Sequence, residues 1–205
     1  MTTIKVDKVI PKTGTSIALG DSGDTFTIPA GATFENLGTA TGFGTAGIVG
    51  VKTKQYLSSS SKSGSNWNEW TEFRLSYTAA STSNRLLFMC QIVHASTSAT
   101  STIFKFYNNT ASADIANAIG DADGSRPRCT GRGHNNSTSW GATHYLQAWV
   151  TPINTSANEY TIQAWNHNAA TTRINSNSNN ADSGSTDNAR GLSQFTIMEF
   201  ESGIL

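Results

Sequence analysis

Residues 120–129 read GDADGSRPRC, with two acids, two arginines, two glycines, a proline and a cysteine in one short run. Asp121, Asp123, Arg126, Arg128 and Cys129 leave three options open: a catalytic group, a metal site or a structural turn. Two carboxylates two residues apart suit a turn or a weak cation site. A calcium loop needs further oxygen ligands and a closing Glu, whereas DADG runs on into Ser-Arg-Pro-Arg. Gly120 and Gly124 permit positive φ, and Pro127 stops strand pairing.

The other reactive side chains are sparse. His94, His134, His144 and His167 are the only histidines, and none forms an H-x-H, H-x-x-x-H or C-x-x-C pattern. His144 and His167 fall on two similar segments and are candidates to meet, although polar strand residues at a rim are the plainer reading. Serines abound without a G-x-S-x-G elbow. GFGTAG (42–47) spells G-x-G-x-x-G, but the β-branched run IVGV follows it where a nucleotide site needs a helix. It is read as a flexible joint. No catalytic, cofactor-binding or metal-ligating residue is therefore assigned, and no enzyme is expected. Trp140 stands apart, in the polar loop HNNSTSWGATH. An aromatic plate among amides and hydroxyls suits a sugar ring, so His134, Asn135, Asn136 and Trp140 form a candidate receptor-binding loop. The alternative is a loop Trp packed on a neighbouring subunit.

The elements that must position these residues are strands. The chain has 205 residues, 14% charged, with a formal net charge of zero. That leaves no electrostatic footprint for nucleic acid, and no apolar run is long enough to insert in a membrane. MTTIKVDKVIPKTG has neither an apolar h-region nor a cleavage site, which argues against a secretory signal. Cys90 and Cys129 are expected as unpaired thiols of a chain made in a reducing cytoplasm, with pairing left open. Residues 1–47 hold no Trp, Tyr, Cys or His, and their thin apolar set (Phe26, Ile28, Phe34, Leu37, Phe43) needs a partner surface. We divide them into an attachment segment, 1–19, and a stalk, 20–47.

From residue 48 to 205 strict alternation takes over. Strands are expected at 48–57, 70–78, 85–95, 102–108, 144–152, 159–168 and 193–200. In the second, Phe73, Leu75 and Tyr77 share a face. RLLFMCQIVHA (85–95) is the most apolar run and is expected to be central. HYLQAWVTP and EYTIQAWNHN resemble each other and are expected to pair across INTSAN. The only helical signal is a turn at 112–119. The fold class that follows is all-β: an antiparallel, jelly-roll-like β-sandwich knob preceded by a short β-rich stalk or attachment segment.

GDADGSRPRCT, EYTIQAW, a Ser/Asn-rich loop and a closing SQFTIMEF resemble the C-terminal module of bacteriophage tail-fibre-like proteins, which abound in marine phages. TFTIPAGATFENLGTATGFG resembles the stalk before such modules. The likeness spans most of 20–201. It implies that 120–129 is a structural crossover between strands, with Gly120, Asp121, Asp123, Arg126 and Arg128 holding the turn through Arg–Asp pairs or bonds to backbone carbonyls. It also implies that Thr196, Met198 and Glu199 close the last strand. The expected protein is a virion tail-fibre or spike subunit, a homotrimer made in the host cytoplasm. It attaches to other virion proteins through its N-terminus and binds a host surface glycan or protein. A head-decoration or capsid-fibre protein is the alternative, followed by a glycan-binding or glycan-degrading surface module.

Overall fold

The computed structural model describes residues 47–98, 101–134, 141–179 and 190–203. The chain divides into two units, Met1–Phe43 and Gly44–Leu205, and every described residue belongs to the second. The attachment segment, the apolar set of the stalk and the rest of the GFGTAG joint before Gly47 lie outside the described residues.

The strands are β1 (Ile48–Tyr56), β2 (Ser60–Lys62), β3 (Asn68–Thr78), β4 (Arg85–Ser96), β5 (Ser101–Asn108), β6 (Ala113–Asp114), β7 (Gly131–His134), β8 (Ala142–Val150), β9 (Ala157–Asn166), β10 (Thr172–Ile174) and β11 (Ser193–Phe200). Three of these are continuations of others. β10 and β11 both pair with β4, at 94–96 and 85–91, and are halves of one strand interrupted by residues 175–192. β1 and β2 pair with those two halves in turn. β6 and β7 both pair with β5 and are interrupted by 115–130.

Counting each interrupted pair once, the described residues form eight strands in two four-stranded antiparallel sheets. One sheet runs β8, β4, β10/β11, β1/β2, and the other runs β3, β9, β5, β6/β7. Successive strands change sheet at every connection except that from β5 to β6/β7. That is the connectivity of a jelly roll.

Alternation builds the core. Leu86, Phe88, Cys90, Ile92 and His94 of β4 point inward and are buried, while Leu87, Met89, Gln91 and Val93 lie on the outer face. The Phe88 ring meets Phe106, Tyr160 and Phe195 edge-on at 5.4, 4.9 and 5.5 Å. Phe73, Leu75 and Tyr77 share the buried face of β3, as alternation predicts. Trp70 is also fully buried although it is an odd number of residues from Phe73. A register shift between Trp70 and Leu75 absorbs the mismatch.

One expectation needs correcting. The similar strands 144–152 and 159–168 do not pair. β8 pairs with β4, whereas β9 lies in the other sheet between β3 and β5. Their shared spelling reflects a common need, one buried face each, and INTSAN crosses between sheets. His144 has His94 of the neighbouring strand beside it, while the side chain of His167 lies outside the described residues. The helical turn is a short 3-10 turn at Ala116–Ala118.

Candidate functional site

The strand directions sort the loops into two sets. β1 starts, β11 ends and the 79–84, 109–112 and 151–156 connections turn at one end of the sandwich. There the Glu201 amide donates to the Gly47 carbonyl at 3.3 Å. Residues 63–67, Thr97, Ser98, Gly141 and 167–171 lie at the other end, roughly 35 Å away along the twelve residues of β4.

Both ends close the core with polar side chains, but differently. At the entry end Glu199, 1% exposed, accepts hydrogen bonds from Tyr77 Oη (2.9 Å), the Ala80 amide (2.8 Å) and Asn84 Nδ2 (2.7 Å). Burial, then this bond, push the Tyr77 phenol well above its ordinary pKa. Asn84 Oδ1 in turn accepts from the Ser202 amide at 3.3 Å.

At the loop end Asn166 Nδ2 lies within hydrogen-bonding distance of Ser96 Oγ (2.9 Å), Thr102 Oγ1 (3.0 Å) and Thr172 Oγ1 (3.3 Å). Asn166 Oδ1, Ser98 Oγ, both ring nitrogens of His94 and Nε2 of His144 are buried without a hydrogen-bond partner among the described residues. The two imidazole rings stand 4.6 Å apart, and His94 packs edge-on against Phe104 at 5.0 Å. Gly133 completes the cluster: a β-carbon there would fall 2.5 Å from Nε2 of both histidines. Burial, with His144 second, pushes the His94 pKa down to about 3, and burial lowers that of His144. Both rings are neutral at pH 7. Among the described residues no group of three or more His, Cys, Asp or Glu is placed to hold a metal.

The loops above this cluster are cross-tied. The Thr97 amide donates to the Thr171 carbonyl at 3.0 Å, the Thr171 amide returns to Thr97 Oγ1 at 3.0 Å, and Ser63 Oγ meets Thr171 Oγ1 at 2.6 Å. His134, exposed at the end of β7, roots the candidate receptor-binding loop at this same end. Asn135, Asn136 and Trp140 of that loop lie outside the described residues. Trp67 and Trp165 meet edge-on at 5.8 Å, with Lys105 Nζ 4.2 Å from the Trp67 ring centroid. Lys105 is also ion-paired with Asp114. Trp165 lies within a segment expected as a strand, but the meeting with Trp67 and Lys105 depends on β9 lying between β3 and β5.

The 120–129 stretch is an excursion between the two halves of the β6/β7 strand. Its neck is closed by Gly120 N to Cys129 O (3.2 Å), Arg128 Nε to Gly120 O (2.6 Å) and Thr130 Oγ1 to Ala118 O (2.6 Å). Arg126 pairs with Asp123 across the tip, where both side chains are exposed and Gly124 takes a φ of 59°. Asp121 is exposed and takes no part in the neck or the ion pair. Gly120 is not in the left-handed region, so only Gly124 uses that freedom. Cys129 and the buried Cys90 are both free thiols, each with its pKa raised by burial.

No protein-family model matches this chain, and none of the curated proteins matches it.

Proposed function

We propose that the chain is an adhesive structural subunit of a bacteriophage virion, a tail fibre or spike that assembles as a homotrimer and binds a host surface glycan or protein. The observation that carries this reading is the polarity of the sandwich. The chain enters at one end, and segments 63–67 and 167–171, with His134 and Gly141, the described residues on either side of the candidate loop, lie at the other. An attachment module needs that arrangement, with its anchor and its reading surface at opposite ends. Loops rich in Ser, Thr and Asn offer hydroxyl and amide partners to sugar hydroxyls, and Trp140 offers a ring for their C–H faces. In this reading adhesion is built from weak sites repeated across copies, so it needs no deep pocket.

The test is a bacterial polysaccharide and lipopolysaccharide array probed with the full chain, alongside an assay for released reducing ends. Binding without release, weakened at least tenfold by Trp140→Ala, is the expected outcome. Release of reducing ends would replace adhesion with hydrolysis, and equal binding by Trp140→Ala would remove that loop from the site.

A further inference from the structure

The two outer sheet faces differ in charge. The face of the β3-β9-β5 sheet carries Glu69, Arg74, Glu159, Lys105, Asp114 and Arg132, by register and by their ion pairs. The face of the β8-β4-β11-β1 sheet is laid out in three rows, each crossing all four strands. One row is Gln55, Gln194, Gln91 and Tyr145. The next is Thr53, Thr196, Met89 and Gln147, and the third is Val51, Met198, Leu87 and Trp149. Not one of these side chains is charged. Along these strands charge enters the outer face only beyond the rows, at Arg85 and Arg173.

This face also leaves apolar surface open. Val51 is 56% exposed and Tyr145 75% exposed, and a cavity of about 220 Å³ opens between Met89, Tyr145, Gln147 and Gln194. Methionine and aromatic side chains with charge excluded are the composition of an interface core. An uncharged face can meet a copy of itself without like-charge cost, whereas it offers nothing to a charged partner.

The β1 edge of the same sheet is guarded against strand addition. Lys54 of β1 stands opposite Phe195, is half-buried and donates from Nζ to the Arg74 carbonyl at 3.1 Å. A lysine turned inward on an edge strand disfavours pairing along β1. The residues before Gly47 also enter at β1, the outermost strand of this sheet.

We propose that this uncharged sheet face is the surface through which copies of the chain pack around their common axis. The proposal rests on the reading of the chain as an oligomeric virion subunit and names the surface that reading requires.

The test uses the full chain. Light scattering gives the mass of the wild type, of Val51→Glu, of Tyr145→Glu and of Ser76→Glu, a control on the exposed face of the other sheet. Hydroxyl-radical footprinting of the wild type compares Val51 and Tyr145 with Ile153, which is 59% exposed in a connecting loop at the entry end. Expected are a trimeric wild type, a trimeric Ser76→Glu, and several-fold protection of Val51 and Tyr145 relative to Ile153 after correction for intrinsic reactivity. At least one face variant is expected to fall to monomer with an unchanged circular dichroism spectrum.

A trimer in which Tyr145 and Val51 react as freely as Ile153 overturns the face but leaves the fibre reading standing. A monomeric wild type overturns both. A monomer with Tyr145 still protected assigns the cover to the chain's own N-terminal segment.

Discussion

Glu199 and His94 seal opposite ends of one core with opposite logic. Glu199 is a buried carboxylate whose hydrogen bonds come from Tyr77, Ala80 and Asn84. Glu199→Ala strands the two buried donors, Tyr77 Oη and Asn84 Nδ2, at roughly 1–3 kcal/mol each, and frees the part-buried Ala80 amide. A loss of at least 3 kcal/mol is expected, read as a fall of about 10 °C in thermal midpoint. A fall under 2 °C would mean that water replaces the carboxylate.

His94 is a base that the fold keeps neutral. Its ordinary pKa of 6.5 drops to about 3 in the folded chain. Below pH 6.5 the unfolded chain binds a proton that the folded chain refuses until about pH 3. Stability therefore falls as pH falls through that window, by on the order of 1 kcal/mol per pH unit. His94→Phe removes the titrating ring while keeping the packing on Phe104, so its thermal midpoint should vary less with pH there. Parallel curves for the two proteins would contradict the assignment. Gly133→Ala drives a β-carbon against both imidazoles and is expected to cost about 2 kcal/mol. Neither role was visible in the sequence. Glu199 stood out there only through a resemblance, and nothing local ties His94 to His144.

At the scale of elements, alternation located the strands well because burying one face leaves a local trace. β3, β4, β5 and β11 fall where the period of two places them. Pairing left no such trace. The kinship of 144–152 and 159–168 suggested neighbours, yet jelly-roll connections carry the chain to the opposite sheet. The interrupted strands were equally hidden: β6 and β10 are too short to show a period, and their partners are fixed by β5 and β4 from a distance.

The 120–129 excursion shows what charge density can mean in a turn. Its neck rests on Arg128 and Thr130, and its most exposed pair, Arg126 with Asp123, is screened by water. Arg128→Ala is expected to destabilise by about 1 kcal/mol, the size of one hydrogen bond. Asp121→Ala is expected to be neutral within error in chemical denaturation. A larger loss from Asp121→Ala than from Arg128→Ala would reverse that assignment.

At the scale of the molecule, the two sheets divide the work. One outer face carries ion pairs and meets solvent, while the other is uncharged and is proposed to meet copies of the chain. The core runs between an end closed by the hydrogen bonds of Glu199, where the chain enters, and an end where buried nitrogens and oxygens have no partner among the described residues. The composition foreshadowed this, because a surface built from hydroxyls and amides leaves few charges to place.

The link between assembly and adhesion is tested most directly by one comparison. Wild type and Val51→Glu are passed over the same immobilised bacterial polysaccharide, and their dissociation is followed by surface plasmon resonance. Val51 lies on β1, far along the sandwich from the loop end, so the loops are unaltered. The expected result is an apparent affinity weaker by a factor of roughly 10²–10⁴ for the variant, with the loss in the dissociation rate. Equal dissociation of a trimeric wild type and a monomeric variant would contradict adhesion by repeated weak sites.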